Sequence, residues 1–141
     1  MRAAIPMVLG LAVLASAPAA LARLLDPPPP LEFHYPDSGL SAYDKVALDC
    51  DRLEHRYGRN AAWGHWIVPL DKVDIAAPAM DQDKAVVAMA CRDGSDCIAA
   101  GKLEDTTGRV ARHSLTFDTL TAARAFIDQV KDHQGLCAMA D

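Results

Sequence analysis

The stretch that decides the fold is AVVAMACRDGSDCIAAGKL, residues 85–103. It contains two apolar, β-compatible runs, 85–91 and 97–103, on either side of the segment RDGSD. An Asp-Gly pair between two such runs is a strong hairpin signal, and five residues is an ordinary hairpin loop. The sequence therefore predicts an antiparallel hairpin in which Cys91 lies directly opposite Cys97.

The amino terminus has the pattern of a cleavable secretory signal. Arg2 precedes an uncharged, mainly apolar run from Ala3 to Leu21, and Ala20-Leu21-Ala22 offers small residues at the cleavage site. We expect residues 1–22 to be removed by a cut after Ala22 and the mature chain to be periplasmic or secreted. The alternative is an uncleaved anchor, since the apolar run approaches the roughly 20 residues of a membrane span.

The remaining chain divides into a spacer and one domain. Residues 23–38 predict a proline-rich spacer, because Pro27–Pro30 fix φ and remove hydrogen-bond donors. Residues 39–141 then form a single α+β domain. Without residues 1–22 the chain has 13 basic and 19 acidic residues, a net charge of −6. This balance does not favour nucleic acid as a partner, because phosphates require a basic patch.

The four cysteines of the chain all follow the signal segment. An even number in a small exported domain indicates disulfides. Directly opposed side chains in a hairpin have Cβ atoms about 4.5–5.5 Å apart, which is close to disulfide reach. The hairpin therefore predicts a Cys91–Cys97 bond, and a Cys50–Cys137 bond follows by elimination. A redox role for Cys91 and Cys97 is the alternative, although their spacing is not C-x-x-C.

Alternation of apolar and polar residues predicts further strands at 46–50, 66–70 and 110–117, with a bulge or break near 51–52. We expect a turn at 57–60 and an exposed loop at 76–84. A helix is predicted from Asp118 or Thr119 to about Gln134, with Gly135 as its C-terminal stop. Its apolar stripe comprises Leu120, Ala123, Phe126, Ile127 and Val130.

The predicted class is α+β, with several antiparallel strands followed by one C-terminal amphipathic helix. This order of elements, with the strand WIVPLDKV at 66–73 and the strand end LTF at 115–117 before the helix, resembles the pleckstrin-homology-like superfold. The resemblance covers residues 40–134. It implies a strongly bent antiparallel sheet, or a partly open barrel, capped by the C-terminal helix, which plugs one end. It transfers no functional residues, because the basic phosphoinositide-binding loop has no counterpart here.

Two segments are candidate binding sites. Trp63, His65 and Trp66 concentrate aromatic rings that could floor a binding groove, and packing of both tryptophans in the core is the alternative. Arg92 and Asp93 lie in the loop that the Cys91–Cys97 bond would close.

The histidines offer weaker candidates for catalytic or metal sites. His113 lies on the apolar face of its strand, where a hydrogen-bonded core histidine is expected. His55 and His65 would approach each other if their strands paired, but two ligands are too few for a zinc site. Asp93, Ser95 and Asp96 lack the order of a calcium loop, and we find no nucleophile or phosphate-binding motif. We therefore expect no metal, no cofactor and no catalytic activity; a hydrolase using His113 or His65 is an alternative.

The sequence thus predicts a small, non-catalytic binding or adaptor domain of the bacterial cell envelope, with a protein partner. The alternative is an inhibitor of an envelope or secreted enzyme that acts through the loop tip, Arg92–Asp96. A rigid loop closed by a disulfide is well suited to that role. No feature of the sequence identifies the partner.

Overall fold

The computed structural model describes residues 26–59, 62–102 and 104–140. The predicted signal peptide at 1–22 lies outside these residues. The elements are β1 (Leu31–His34), β2 (Asp44–Leu48), β3 (Arg52–Arg59), β4 (Ala62–Pro69), β5 (Val73–Ile75), β6 (Ala79–Asp81), β7 (Lys84–Cys91), β8 (Ile98–Lys102), β9 (Asp105–Val110), β10 (Arg112–Phe117) and α1 (Leu120–Ala140).

The strands form two antiparallel sheets. The larger sheet has six strands in the order β1-β2-β3-β4-β8-β9. The smaller sheet has four, in the order β10-β7-β5 with β6 also paired to β7. The predicted α+β class with one C-terminal helix is therefore confirmed, but the two sheets do not close into a barrel.

The predicted pairing of 85–91 with 97–103 is wrong. β7 pairs with β10 and β5 in the smaller sheet, whereas β8 lies between β4 and β9 in the larger one. Cys91 lies opposite Val73, because the chain crosses from one sheet to the other after β7. Local alternation and an Asp-Gly turn specify two strands and a reversal, but they do not specify which strand each one joins.

Both predicted disulfides are nevertheless present. Cys91 and Cys97 are bonded, with their Cα atoms 5.9 Å apart, and they close the connection between the two sheets. Cys50 and Cys137 are bonded across a sequence separation of 87. The Cys91–Cys97 pairing was correct for a different reason from the one the hairpin offered: it joins two sheets at their crossing, not two strands of one hairpin.

The core lies between the inner faces of the two sheets and α1. Alternate residues of β2 and of β7 point into it, as the period of two requires. Phe126 of α1 contacts Phe33 of the larger sheet and Phe117 of the smaller one, with ring centroids 5.0 and 5.2 Å apart. The helix therefore covers the opening between the sheets. The predicted apolar stripe is confirmed, with three of its members buried: Ala123, Phe126 and Val130.

Only the N-terminal end of α1 matches the prediction. The N–H of Ala122 donates to Thr119 Oγ1 at 3.1 Å, so Thr119 caps the helix as expected. The predicted stop at Gly135 is wrong, because the helix continues to Ala140. A glycine inside a helix costs only about 1 kcal/mol, and the bond of Cys137 to Cys50 holds the final turns against the sheet.

Several predicted boundaries also shift. β1 pairs with β2, so the ordered sheet begins at Leu31, inside the segment 23–38 assigned to the spacer. The break near 51–52 is the turn of a β2–β3 hairpin, closed by a bond from the Asp49 N–H to the Arg52 carbonyl. β3 continues through the predicted turn at 57–60 as far as Arg59, and the predicted loop at 76–84 contains β6.

Candidate functional site

The outer face of the six-stranded sheet carries a row of basic side chains. His34 of β1 pairs with Lys45 of β2, Lys45 with Arg56 of β3, and Arg56 with His65 of β4. Directly paired residues share one face of a sheet. The row therefore crosses four strands, although its members lie far apart in the sequence.

A second row, next to the basic one, is aromatic. Gly58 pairs with Trp63, and its N–H donates to the carbonyl of Tyr43 at 3.1 Å. A side chain at Gly58 would overlap the Trp63 ring, so the glycine lets that ring lie over the strand. Tyr43 and Trp63 are 49% and 48% exposed, respectively. Two half-exposed rings thus lie on this face, and the Trp63 ring covers the backbone of Gly58.

Tyr43 is held in place by its neighbours. Its ring meets that of Tyr57 edge-on at 6.4 Å, and the guanidinium of Arg59 lies 5.4 Å from its centroid. Such cation–π and edge-to-face contacts fix the orientation of an exposed ring. The exposed ring of Tyr43 therefore has a fixed orientation in the aromatic row.

Glu54 anchors two members of the basic row. Its Oε1 accepts bonds from Arg56 Nη2 at 2.8 Å and from His65 Nε2 at 2.6 Å. Burial raises the pKa of Glu54, but the hydrogen bonds and charges of Arg56 and His65 outweigh it and lower the pKa overall. Glu54 is consequently a carboxylate that orients both side chains. Glu104 adds a longer contact to Arg56, at 3.9 Å.

These rows line two adjoining cavities of about 420 and 630 Å³, which share Ala42, Lys45 and Arg56. We refer to them together as the outer groove. Its principal side chains are Tyr43, Lys45, Arg56, Trp63 and His65. Tyr43, Lys45 and Arg56 were not identified from the sequence. Only the register of β2, β3 and β4 brings them together, and no single strand carries that signal.

The predicted aromatic segment is divided between the two faces of its strand. Trp63 and His65 point into the outer groove, whereas Trp66 points into the core. The Trp66 ring stacks against both His55 and His113, with ring centroids 5.0 and 4.7 Å away. The structure therefore brings together Trp63 and His65 of the predicted binding residues, and separates Trp66 from them.

The interior histidines form a hydrogen-bonded chain. Asp44 Oδ1 lies 2.9 Å from His55 Nε2, and His55 Nδ1 lies 2.8 Å from His113 Nε2. Burial, and secondarily the charge of His55, lower the pKa of His113 to about 4, so it is neutral at pH 7. His113 thus has the hydrogen-bonded, inward-facing position expected of it.

The proposed approach of His55 to His65 is wrong. Their strands do pair, but His55 lies opposite Trp66 and His65 lies opposite Arg56. The two histidines therefore point to opposite faces of the sheet. His55 meets His113 of the other sheet instead.

The loop tip lies apart from the outer groove, on the connection between β7 and β8. Arg92 donates from Nε to Asp74 and from Nη1 to the carbonyl of Asp71, each at 2.9 Å. Asp93 accepts bonds from the N–H and hydroxyl of Ser95, which lower its pKa. Both predicted tip residues are thus held by contacts within the domain.

Two disulfides are consistent with folding in an oxidising compartment, as exported proteins do. Within the part of the chain that the structure describes, no helix is both long and apolar enough to cross a membrane. No protein-family model, curated protein or solved structure matches the chain.

Proposed function

We propose that this protein is an exported, non-catalytic binding domain of the bacterial cell envelope, and that the outer groove holds a segment of a partner protein. The observation that carries the proposal is the pair of half-exposed rings, Tyr43 and Trp63, beside the charged side chains of Lys45 and Arg56. Concave surfaces with a few aromatic rings and convergent polar groups are where ligands bind.

The composition of the groove favours a protein as its occupant. Trp, Tyr and Arg dominate the energetics of protein interfaces, and Trp63, Tyr43 and Arg56 supply all three types. We infer a segment that packs an apolar or aromatic side chain against the exposed rings of Trp63 and Tyr43 and places a carboxylate on Lys45. Because Arg56 is already held by Glu54, it enters the interface with little further loss of side-chain entropy.

Export is part of the same proposal. The two disulfides support an oxidising compartment, and the segment 1–22 supplies a signal peptide with its cut after Ala22. Two antiparallel sheets with a helix over their opening also support a distant likeness to the pleckstrin-homology-like superfold.

A photo-crosslinking residue that replaces Ala42, which lines both cavities and makes none of the proposed contacts, tests the proposal in the cells that produce the protein. We expect one predominant protein adduct from position 42, and none from the same residue at Ser114, an exposed position of the other sheet. The adduct should disappear when Trp63→Ala is added. Equal labelling from both positions, or an adduct that survives Trp63→Ala, would contradict the proposal. Labelling of envelope glycan in place of protein would also contradict the proposal, because it would show that the partner is not a protein.

The alternative function, an inhibitor acting through Arg92–Asp96, stays a prediction. The bonds from Arg92 to Asp74 and Asp71 hold the most prominent side chain of that loop along the domain surface. Inhibition should be lost in an Arg92→Ala, Asp93→Ala variant, while Trp63→Ala should leave it intact. The two variants therefore separate the two functions.

A further inference from the structure

The Cys50–Cys137 disulfide has a buried histidine beside it. His133 lies one helical turn before Cys137 in α1, and it is only 2% exposed. A ring nitrogen of His133 and the two sulfur atoms all lie within 4.8 Å of one another. The three side chains come from the end of α1 and from the turn between β2 and β3.

This imidazole has an unusual environment. Among the described residues, His133 Nε2 is the buried side-chain nitrogen or oxygen that has no hydrogen-bond partner. A buried polar atom without a partner costs free energy, and such atoms in native structures call for an explanation, such as a redox role or an ion.

We propose that reduction of this disulfide creates a zinc site whose ligands are Cys50, Cys137 and His133. A dithiol reductant would transfer two electrons and two protons to the disulfide, giving two thiols and the oxidised reductant. Zinc would then bind both sulfurs as thiolates, displacing their two protons, together with the imidazole nitrogen. Three protein ligands leave a fourth, open position for water or another ligand.

The geometry suits zinc after a small movement. In the oxidised protein the sulfurs are bonded to each other, so they cannot bind a metal as separate thiolates. A tetrahedral zinc ion with Zn–S bonds of about 2.3 Å holds two sulfurs about 3.8 Å apart. The Cα atoms of Cys50 and Cys137 are 5.6 Å apart, so side-chain rotation can supply that separation. His133 and Cys137 are spaced i and i+4, which places both ligands on one helix face.

The second disulfide provides an internal control. Cys91 and Cys97 do not belong to any comparable cluster of three ligands among residues 26–59, 62–102 and 104–140. Reduction there should produce a dithiol without a histidine. Among the described residues, the Cys50–Cys137 disulfide therefore has a histidine as a third ligand beside it, and the Cys91–Cys97 disulfide does not.

The test uses the mature chain carrying Cys91→Ser and Cys97→Ser, reduced with a phosphine that is then removed without air. Zinc is added and its stoichiometry measured, and Co²⁺ serves as a spectroscopic probe of thiolate ligation. We expect one zinc per reduced chain, none in the oxidised chain, and a thiolate-to-cobalt charge-transfer band. His133→Gln should weaken zinc binding by at least about tenfold, whereas His34→Gln, at an exposed histidine, should not.

Three results would overturn the proposal: no zinc binding by the reduced chain, equal affinity in His133→Gln, or equal affinity in a chain that keeps only Cys91 and Cys97. Circular dichroism is recorded with each titration. If reduction unfolds the domain, zinc must restore the folded spectrum, and failure to do so also refutes the site. These measurements do not involve the outer groove, so a crosslinking experiment that finds no protein partner would not change their outcome.

Discussion

The stability of this domain should depend on pH through one half-buried side chain, His113. Its imidazole is packed against Trp66 and hydrogen-bonded to His55, which in turn contacts Asp44. Burial, followed by the charge of His55, lowers the pKa of His113 from 6.5 to about 4. Its neutral form is therefore the one that fits the folded state.

The sign of the effect follows from linkage. Between pH 6.5 and about 4 the unfolded chain binds a proton at His113 that the folded chain does not. The stabilisation is complete above the unfolded pKa and is lost as the pH falls toward the folded one. A shift of the His113 pKa from 6.5 to about 4 corresponds to about 3 kcal/mol of folding free energy. Because the ring is partly exposed, solvent screens part of it, and we expect about 2 kcal/mol.

The perturbation is His113→Gln, which keeps a donor and an acceptor for His55 but cannot titrate. The free energy of unfolding is measured by urea titration at several pH values from about 7.5 to about 4, with both disulfides intact. The loss of stability over this range should be about 2 kcal/mol smaller in the variant than in the wild type. Comparing the pH-dependent losses of stability in the two proteins cancels any cost of the substitution that does not depend on pH.

His34→Gln is the matched control, because His34 is an exposed histidine on the outer face. It should retain the full pH dependence of the wild type. If His113→Gln also retains it, then His113 does not carry the effect and the account of the interior chain is wrong.

Other substitutions test the packing. Gly135→Ala should raise the free energy of unfolding by about 0.5–1 kcal/mol, because a Cβ there meets nothing within 4 Å and alanine favours the helix. Gly101→Ala should lower it by more than about 2 kcal/mol, since its Cβ would overlap the carbonyl of Asp105; urea titration checks both. Replacing Cys50 and Cys137 by alanine should cost about 4–5 kcal/mol by the chain-entropy relation, visible as a lower urea midpoint in otherwise matched samples.

The sequence predicted those features that depend on local pattern. Alternation located the strands around Trp66 and His113, and the period of α1 identified its buried stripe, because each signal lies within one element. The end of α1 could not be predicted from Gly135, since a long-range contact, the bond of Cys137 to Cys50, holds the following turns.

The outer groove could not be predicted from the sequence, for a related reason. Lys45 and Arg56 are ordinary exposed strand residues until the register sets them side by side. The same holds for Tyr43 and Trp63, which line one cavity because Gly58 leaves room for the Trp63 ring on the strand. Register across several strands arises from the packing of the whole sheet, and no single run of residues encodes it.

The central claim, that the outer groove binds a protein through its aromatic row, is tested most directly by one affinity comparison. The partner recovered by crosslinking at position 42 is purified, and its Kd is measured for the wild type, Trp63→Ala and Met80→Ala. Met80 is the control, being an apolar side chain 53% exposed on the other sheet. We predict that Trp63→Ala weakens binding by at least about tenfold while Met80→Ala leaves the Kd unchanged. Equal affinities for all three proteins would contradict the claim.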